Sequence, residues 1–180
     1  MQYPSLDQCG FKARGSSSEE EAILAIEQSI GVSLPSAYRA FLLATAGGTL
    51  DGWAACEEPT PFGDSGITHF YSAKDVQRYL TSAIVPRNMV CIGGGHLGSF
   101  VCISIAGLDH GSVYALDSDM RHFWGPEKLA RFTQLAPNIK EYFRLRDAQE
   151  LPRKPWGYDN CYRICGNFEE YLLKLSPSEE

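Results

Sequence analysis

The chain has 180 residues, 44% of them apolar and 21% charged, which suits one globular domain with a substantial core. No apolar run approaches the roughly 20 residues that span a bilayer, and the opening MQYPSLDQCGFKARGSSSEEE lacks the apolar stretch of a secretory signal. Sixteen bases against 22 acids give a net charge of -6, which argues against nucleic acid as a partner.

Six cysteines, at 9, 56, 91, 102, 161 and 165, are scattered and fit no tight framework. Reduced thiols in a cytoplasmic protein are expected. The one close pair is C-x3-C with no matching pair elsewhere, so neither a zinc site nor any other metal is expected.

Residues 1–17 read as a lead segment, 18–175 as one domain and 176–180 as a tail. SEEEAILAIEQSIG predicts a helix, with Ser18 as cap and Glu21 three residues on. Ile23, Ile26 and Ile30 form its apolar stripe, and Gly31 its stop. Pro35 opens a second helix with Tyr38, Phe41, Leu42 and Thr45 on one face. Gly47 and Gly48 are expected to end that helix and turn the chain.

TLDGWAACEEPTPFGDSGI mixes glycine, proline, acids and the aromatics Trp53 and Phe62. It reads as a strand edge followed by a long surface loop. ITHFY alternates as a short strand. Ser72 and Asp75 form a capping pattern for the helix SAKDVQRYLTSAI, with Val76, Tyr79, Leu80 and Ala83 buried.

MVCI, SFVCISI and SVYALD are β-branched and aromatic, with glycine-bearing turns between them. They predict an antiparallel meander with one apolar face, Val101, Ile103 and Ile105 on one side of the middle strand and Phe100, Cys102 and Ser104 on the other. Gly93, Gly95 and Gly98 match the G-x-G-x-x-G spacing, but a dinucleotide site needs a helix next, and a period-2 strand follows. The glycines are expected to form a hairpin loop with positive φ angles, and His96 to be a solvated side chain at its tip.

GPEKLARFTQL and APNIKEYFRLRDAQEL read as helices, PRKPWGYDN as a loop, NFEEYLLKL as a closing helix and SPSEE as a frayed tail. No nucleophile elbow, phosphate-binding lysine motif or metal-binding histidine pair occurs, so no catalytic residue is assigned. Cys91 reads as core. Asp117 and Asp119, at a strand end, could form a carboxylate pair or simply serve a turn.

The charge is unevenly spread. No Lys or Arg occurs from 40 to 73 or from 88 to 120, whereas 121–163 carries nine bases against five acids. An acid-only half attracts basic partners, although any one acid could equally be an ordinary solvated loop residue.

The succession AIEQSIGVSLPSAYRAFLLATAGG, VCIGGGHLGSFVCISI, GSVYALD and NFEEYLLKL resembles the SUKH superfamily, which includes fungal cell-wall-assembly regulators and bacterial immunity proteins. The matching features are Gly31 to Pro35, Tyr38 to Leu42, Gly47-Gly48, Gly93 to Phe100 and Asn167 to Leu172. The segment at about 124–160 is longer than the family needs and carries the basic excess. The resemblance implies an α+β fold, a central, mainly antiparallel sheet packed against N-terminal and C-terminal helices. It also implies a binding protein without cofactor, whose partner is a toxin, often a nuclease, neutralised by occlusion of its active site. A regulatory scaffold of the fungal kind is the alternative, and a small enzyme a third. With the charge pattern, a basic protein partner is expected to meet a face containing Trp53 as anchor and Glu57, Glu58, Asp64, Asp109, Asp117 and Asp119 as steering charges.

Overall fold

A computed structural model describes residues 3–15, 19–60, 63–81, 85, 89–107, 109–117 and 161–178. The proposed cap Ser18, Phe62, Ala83, Asp119, the two helices and loop expected between 125 and 160, and the end of the tail lie outside the described residues.

The elements run α1 (Pro4–Gln8), β1 (Lys12–Ala13), α2 (Glu19–Ile30), α3 (Ser36–Thr45), β2 (Gly48–Thr60), β3 (Gly63–Phe70) and α4 (Ala73–Tyr79). Then come β4 (Met89–Gly95), a 3-10 turn (His96–Gly98), β5 (Phe100–Ser104), β6 (Val113–Leu116), β7 (Cys161–Cys165), α5 (Phe168–Lys174) and β8 (Leu175–Pro177). Every strand pairing is antiparallel, in spatial order β1-β2-β3-β4-β5-β6-β7, with β8 also on β2. This is the expected α+β architecture.

The helices form where the sequence carries their signals. Ile23 and Ile26 of α2 and Tyr38, Phe41, Leu42 and Thr45 of α3 are buried. Phe41 sits at the centre of an aromatic cluster, with ring centroids 4.9 Å from Phe70, 5.3 Å from Phe168, 5.4 Å from Tyr3 and 5.9 Å from Phe11. These rings join the N-terminal residues, α3, β3 and α5 into one core. Residues 3–15, ahead of the expected domain start, contribute buried Leu6 and Cys9 to it.

Two caps tie helices together. Ser72 Oγ accepts from the Asp75 N–H and the Asp75 carboxylate accepts from the Ser72 N–H, the predicted box on α4. Arg14 reaches the same carboxylate at 2.7 Å. Glu19, buried at the start of α2, accepts from the Ala73 N–H at 2.8 Å and so satisfies a donor of α4 rather than of its own helix.

Three local readings are corrected. The stretch read as a long surface loop is most of a β-hairpin, β2 and β3, with irregular register between Thr49 and Ala54 and between Cys56 and Pro59. Its glycines and prolines mask the strand because they fall at bulges and near the hairpin tip. The meander is buried on both faces rather than one: every residue of β4 and β6 is buried, as are the last four of β5. The tail begins as strand β8, with Leu175 opposite Cys56 and Pro177 opposite Ala54.

The Gly47-Gly48 pair is structural, though differently from a simple stop. Ala46 already takes the left-handed conformation (φ 54°), and Gly47 follows it (φ 74°). A Cβ on Gly47 would sit 2.7 Å from the backbone of Phe70 and Tyr71, and one on Gly48 would strike the Phe11 ring. The two glycines let α3 hand over directly to the sheet.

Candidate partner-binding surface

The registers define two ends of the sheet. Ile67 of β3 lies opposite Gly95 of β4, and Phe100 of β5 lies opposite both Gly94 and Leu116. The β2–β3 hairpin tip, the His96–Gly98 turn and the residue after β6, Asp117, therefore share one end. The β5–β6 turn, with Asp109, lies at the other.

Trp53 is half-buried near that first end. Gly52, at φ 85°, precedes it within the bulged part of β2, and such a bulge re-aims the next side chain. The indole passes over Gly66 of β3, where a Cβ would come within 2.5 Å of it. It then stacks on the His96 imidazole, with centroids 4.2 Å apart and planes at 17°. β2, β3 and the turn after β4 thus meet at one aromatic pair.

The turn that presents His96 is held by its own backbone. Gly95 N–H donates to Ser99 O at 2.8 Å, and Ser99 Oγ donates to His96 O at 2.8 Å. Gly98 takes the positive φ, 80°. The preceding glycines do not form the turn. Gly93, Gly94 and Gly95 are strand residues, and side chains at 93 and 94 would strike Ile67 and the His69 ring. The dinucleotide spacing is thus a record of close strand packing, and β5, not a helix, follows it.

His69 packs over Gly94 and contacts Thr68 Oγ1 through Nδ1 at 2.9 Å. The Thr68 hydroxyl gives its one hydrogen to Gly94 O at 3.0 Å, so Nδ1–H must be the donor in the histidine contact. Burial, then the Arg14 charge, hold the His69 pKa below its usual value, with Asp75 opposing.

Of the acids named from sequence, Glu57 and Glu58 lie on β2 and Asp64 on β3, opposite Pro59. They share a hairpin with Trp53. Asp117 is half-buried at the same end, on the β6 side, about 10 Å from β4 by strand spacing. Asp109 does not join them. It is only 5% exposed at the opposite end, and accepts from the Tyr114 hydroxyl at 2.7 Å while its carbonyl accepts from the Ser112 N–H at 2.9 Å. Burial and the Asp109 charge push the Tyr114 hydroxyl far above its usual pKa. Asp109 braces a turn, a use its sequence setting between glycines already allowed.

His96 is the residue that sequence reasoning assigned to solvent. Its signal is three-dimensional: Trp53 and His96 are 43 positions apart, and only the β2–β3–β4 register brings them together. Among the described residues no group of three or more His, Cys, Asp or Glu could hold a metal ion. No described helix is long and apolar enough to cross a membrane. The arrangement offers an aromatic platform beside an acidic hairpin, which is chemistry for binding.

None of the curated proteins compared with the chain matches it. The sequence profile of the SMI1 / KNR4 family (SUKH-1) matches residues 18–145, which span α2 through β6 and so include the hairpin, the glycine strand and the aromatic pair. The chain belongs to the SMI1 / KNR4 family (SUKH-1).

Proposed function

We propose that this protein is an immunity protein, which binds a cognate basic toxin and neutralises it by covering its active site. It acts by binding, with no reaction of its own. The observation that carries this reading is half-buried Trp53, stacked on His96 and standing on the hairpin that also bears Glu57, Glu58 and Asp64. Interfaces concentrate their energy in aromatic anchors, and surrounding charges mainly accelerate encounter. An acidic face suits a toxin whose active site is built for an anionic polymer, such as a nuclease. The base-free stretches 40–73 and 88–120, which contain this face, support that match. Family membership supports a protein partner, and six cysteines held outside any disulfide support action in a cytoplasm.

The test has two steps. The partner is captured from the native host with the tagged chain and identified by mass spectrometry. Its toxic activity is then titrated with the purified chain, wild type and Trp53→Ala. The proposal requires stoichiometric inhibition by the wild type, with an affinity loss of about thirtyfold or more for Trp53→Ala. A captured partner whose activity is untouched at saturation would contradict it.

A further inference from the structure

Cys56 and Cys165 are distant in sequence and adjacent in space. β7 ends at Cys165, α5 folds back from it, and β8 then lays Leu175 directly opposite Cys56 on β2. This return brings β7 against β2, and the Cys165 thiol into hydrogen-bond contact with Cys56. Both are essentially buried, at 2% and 0% exposure. Neither is in a disulfide, and the two meet between the β7 end of the sheet and the strand carrying the acidic hairpin.

A second observation marks the same place. The Tyr171 hydroxyl is fully buried beside both thiols and has no hydrogen-bond partner among the described residues. A buried hydroxyl without a partner is costly, and neither sulfur is placed to bond it in the dithiol form. Neither thiol is exposed, so exchange reaches them only through a local opening of the contact between β7 and β2. The contact with Cys56, together with burial, pushes the Cys165 thiol up, so the dithiol is the resting form.

The other close pair differs. Cys91 and Cys102 lie directly opposite each other on β4 and β5, but the Cys91 thiol donates to Gly93 O at 3.7 Å and is thereby directed along its own strand. It serves as an internal comparison.

We infer that Cys56 and Cys165 are a latent disulfide site, closed by exchange with a small-molecule disulfide when the protein meets an oxidising environment. One thiolate attacks a sulfur of the oxidant, forming a mixed disulfide and releasing one thiol. The second thiolate attacks the protein sulfur of that mixed disulfide, closing the Cys56–Cys165 bond and releasing the second thiol. Two electrons pass to the oxidant, and the two protein protons leave with its two thiol products. The bond would fasten β7 to β2, and with them the β8 strand whose following residue, Ser178, donates through N–H to Trp53 O at 3.4 Å. A link between residues ~110 positions apart removes much freedom from the unfolded chain.

The folded full chain is incubated at about pH 8.5 with excess oxidised glutathione, acid-quenched, alkylated in denaturant and digested with trypsin without reduction. The expected product joins the peptide over 40–74, whose one cysteine is Cys56, to that over 164–174, whose one cysteine is Cys165. Cys91 and Cys102 are expected to be recovered alkylated. The melting temperature is expected to rise by about 5–10 °C and to fall back on reduction. Cys165→Ser should abolish both the linked peptide and the rise, whereas Cys9→Ser should keep them. The wild-type digest alone decides the matter if a variant does not fold. Recovery of Cys56 and Cys165 as free or glutathione-capped thiols, or a link between any other pair, would overturn the inference.

Discussion

Trp53 and Asp109 show how one residue list divides once the backbone is known. Both lie in base-free sequence, and both were assigned to one binding face. The structure leaves Trp53 half-exposed on His96 and turns Asp109 inward onto Tyr114. Their substitutions should separate accordingly. Asp109→Ala removes the acceptor of a buried hydroxyl and is expected to destabilise the fold by about 1–3 kcal/mol, read from urea denaturation, with partner association unchanged. Trp53→Ala is expected to weaken partner binding far more than it lowers the melting temperature. Asp75 adds a pH dependence. Burial alone would raise its pKa, but the Ser72 side-chain and backbone hydrogen bonds and the Arg14 contact override it and hold the group below its usual value. Its folded-state pKa is thus below its unfolded one. The stability it contributes is present above the ordinary carboxylate range, near pH 4, and is lost as pH falls through the folded value. Urea midpoints measured from pH 6 to pH 2 should fall less steeply in this acid window for Asp75→Asn than for the wild type.

At the scale of elements, the glycines decide how the site is assembled. Gly66 and Gly94 are extended strand residues whose missing side chains leave room for Trp53 and His69. Gly66→Val should push the indole off β3 and break its stack on His96. A changed tryptophan environment by fluorescence and near-ultraviolet circular dichroism, with far-ultraviolet signal retained, is the expected result. An unaltered tryptophan signal would mean the indole does not rest on that strand. The helices were the most legible elements, because capping residues such as Ser72 and Asp75 and the Tyr38, Phe41, Leu42 stripe act locally. The hairpin was least legible. Cys56 and Ala54 are buried and paired, yet Gly52, Pro59 and Gly63 interrupt the alternation that would have announced a strand. The glycine cluster misled for a related reason: Gly93 and Gly94 look like a loop until the Ile67 and His69 side chains of β3 that occupy their space are seen.

For the whole molecule, the sheet topology turns a charge pattern into a directed surface. The acids of 57–64 and Asp117 come to one end of the sheet because β2–β3, β4–β5 and the exit of β6 share that end. The central claim is that this end meets a basic partner, with Trp53 as anchor. Sequence showed the acid-only stretches, but not that Asp109 belongs to the opposite end, since strand direction and register decide it. The most direct measurement is the association rate of the captured partner with the double variant Glu57→Lys, Glu58→Lys across ionic strength. At low salt the rate is expected to fall about tenfold or more against the wild type. The gap should narrow as salt rises, because at ~0.15 M charges are screened over roughly 8 Å. The melting curve should be essentially unchanged. An association rate equal to the wild type at every salt concentration, in a normally folded variant, would contradict the claim.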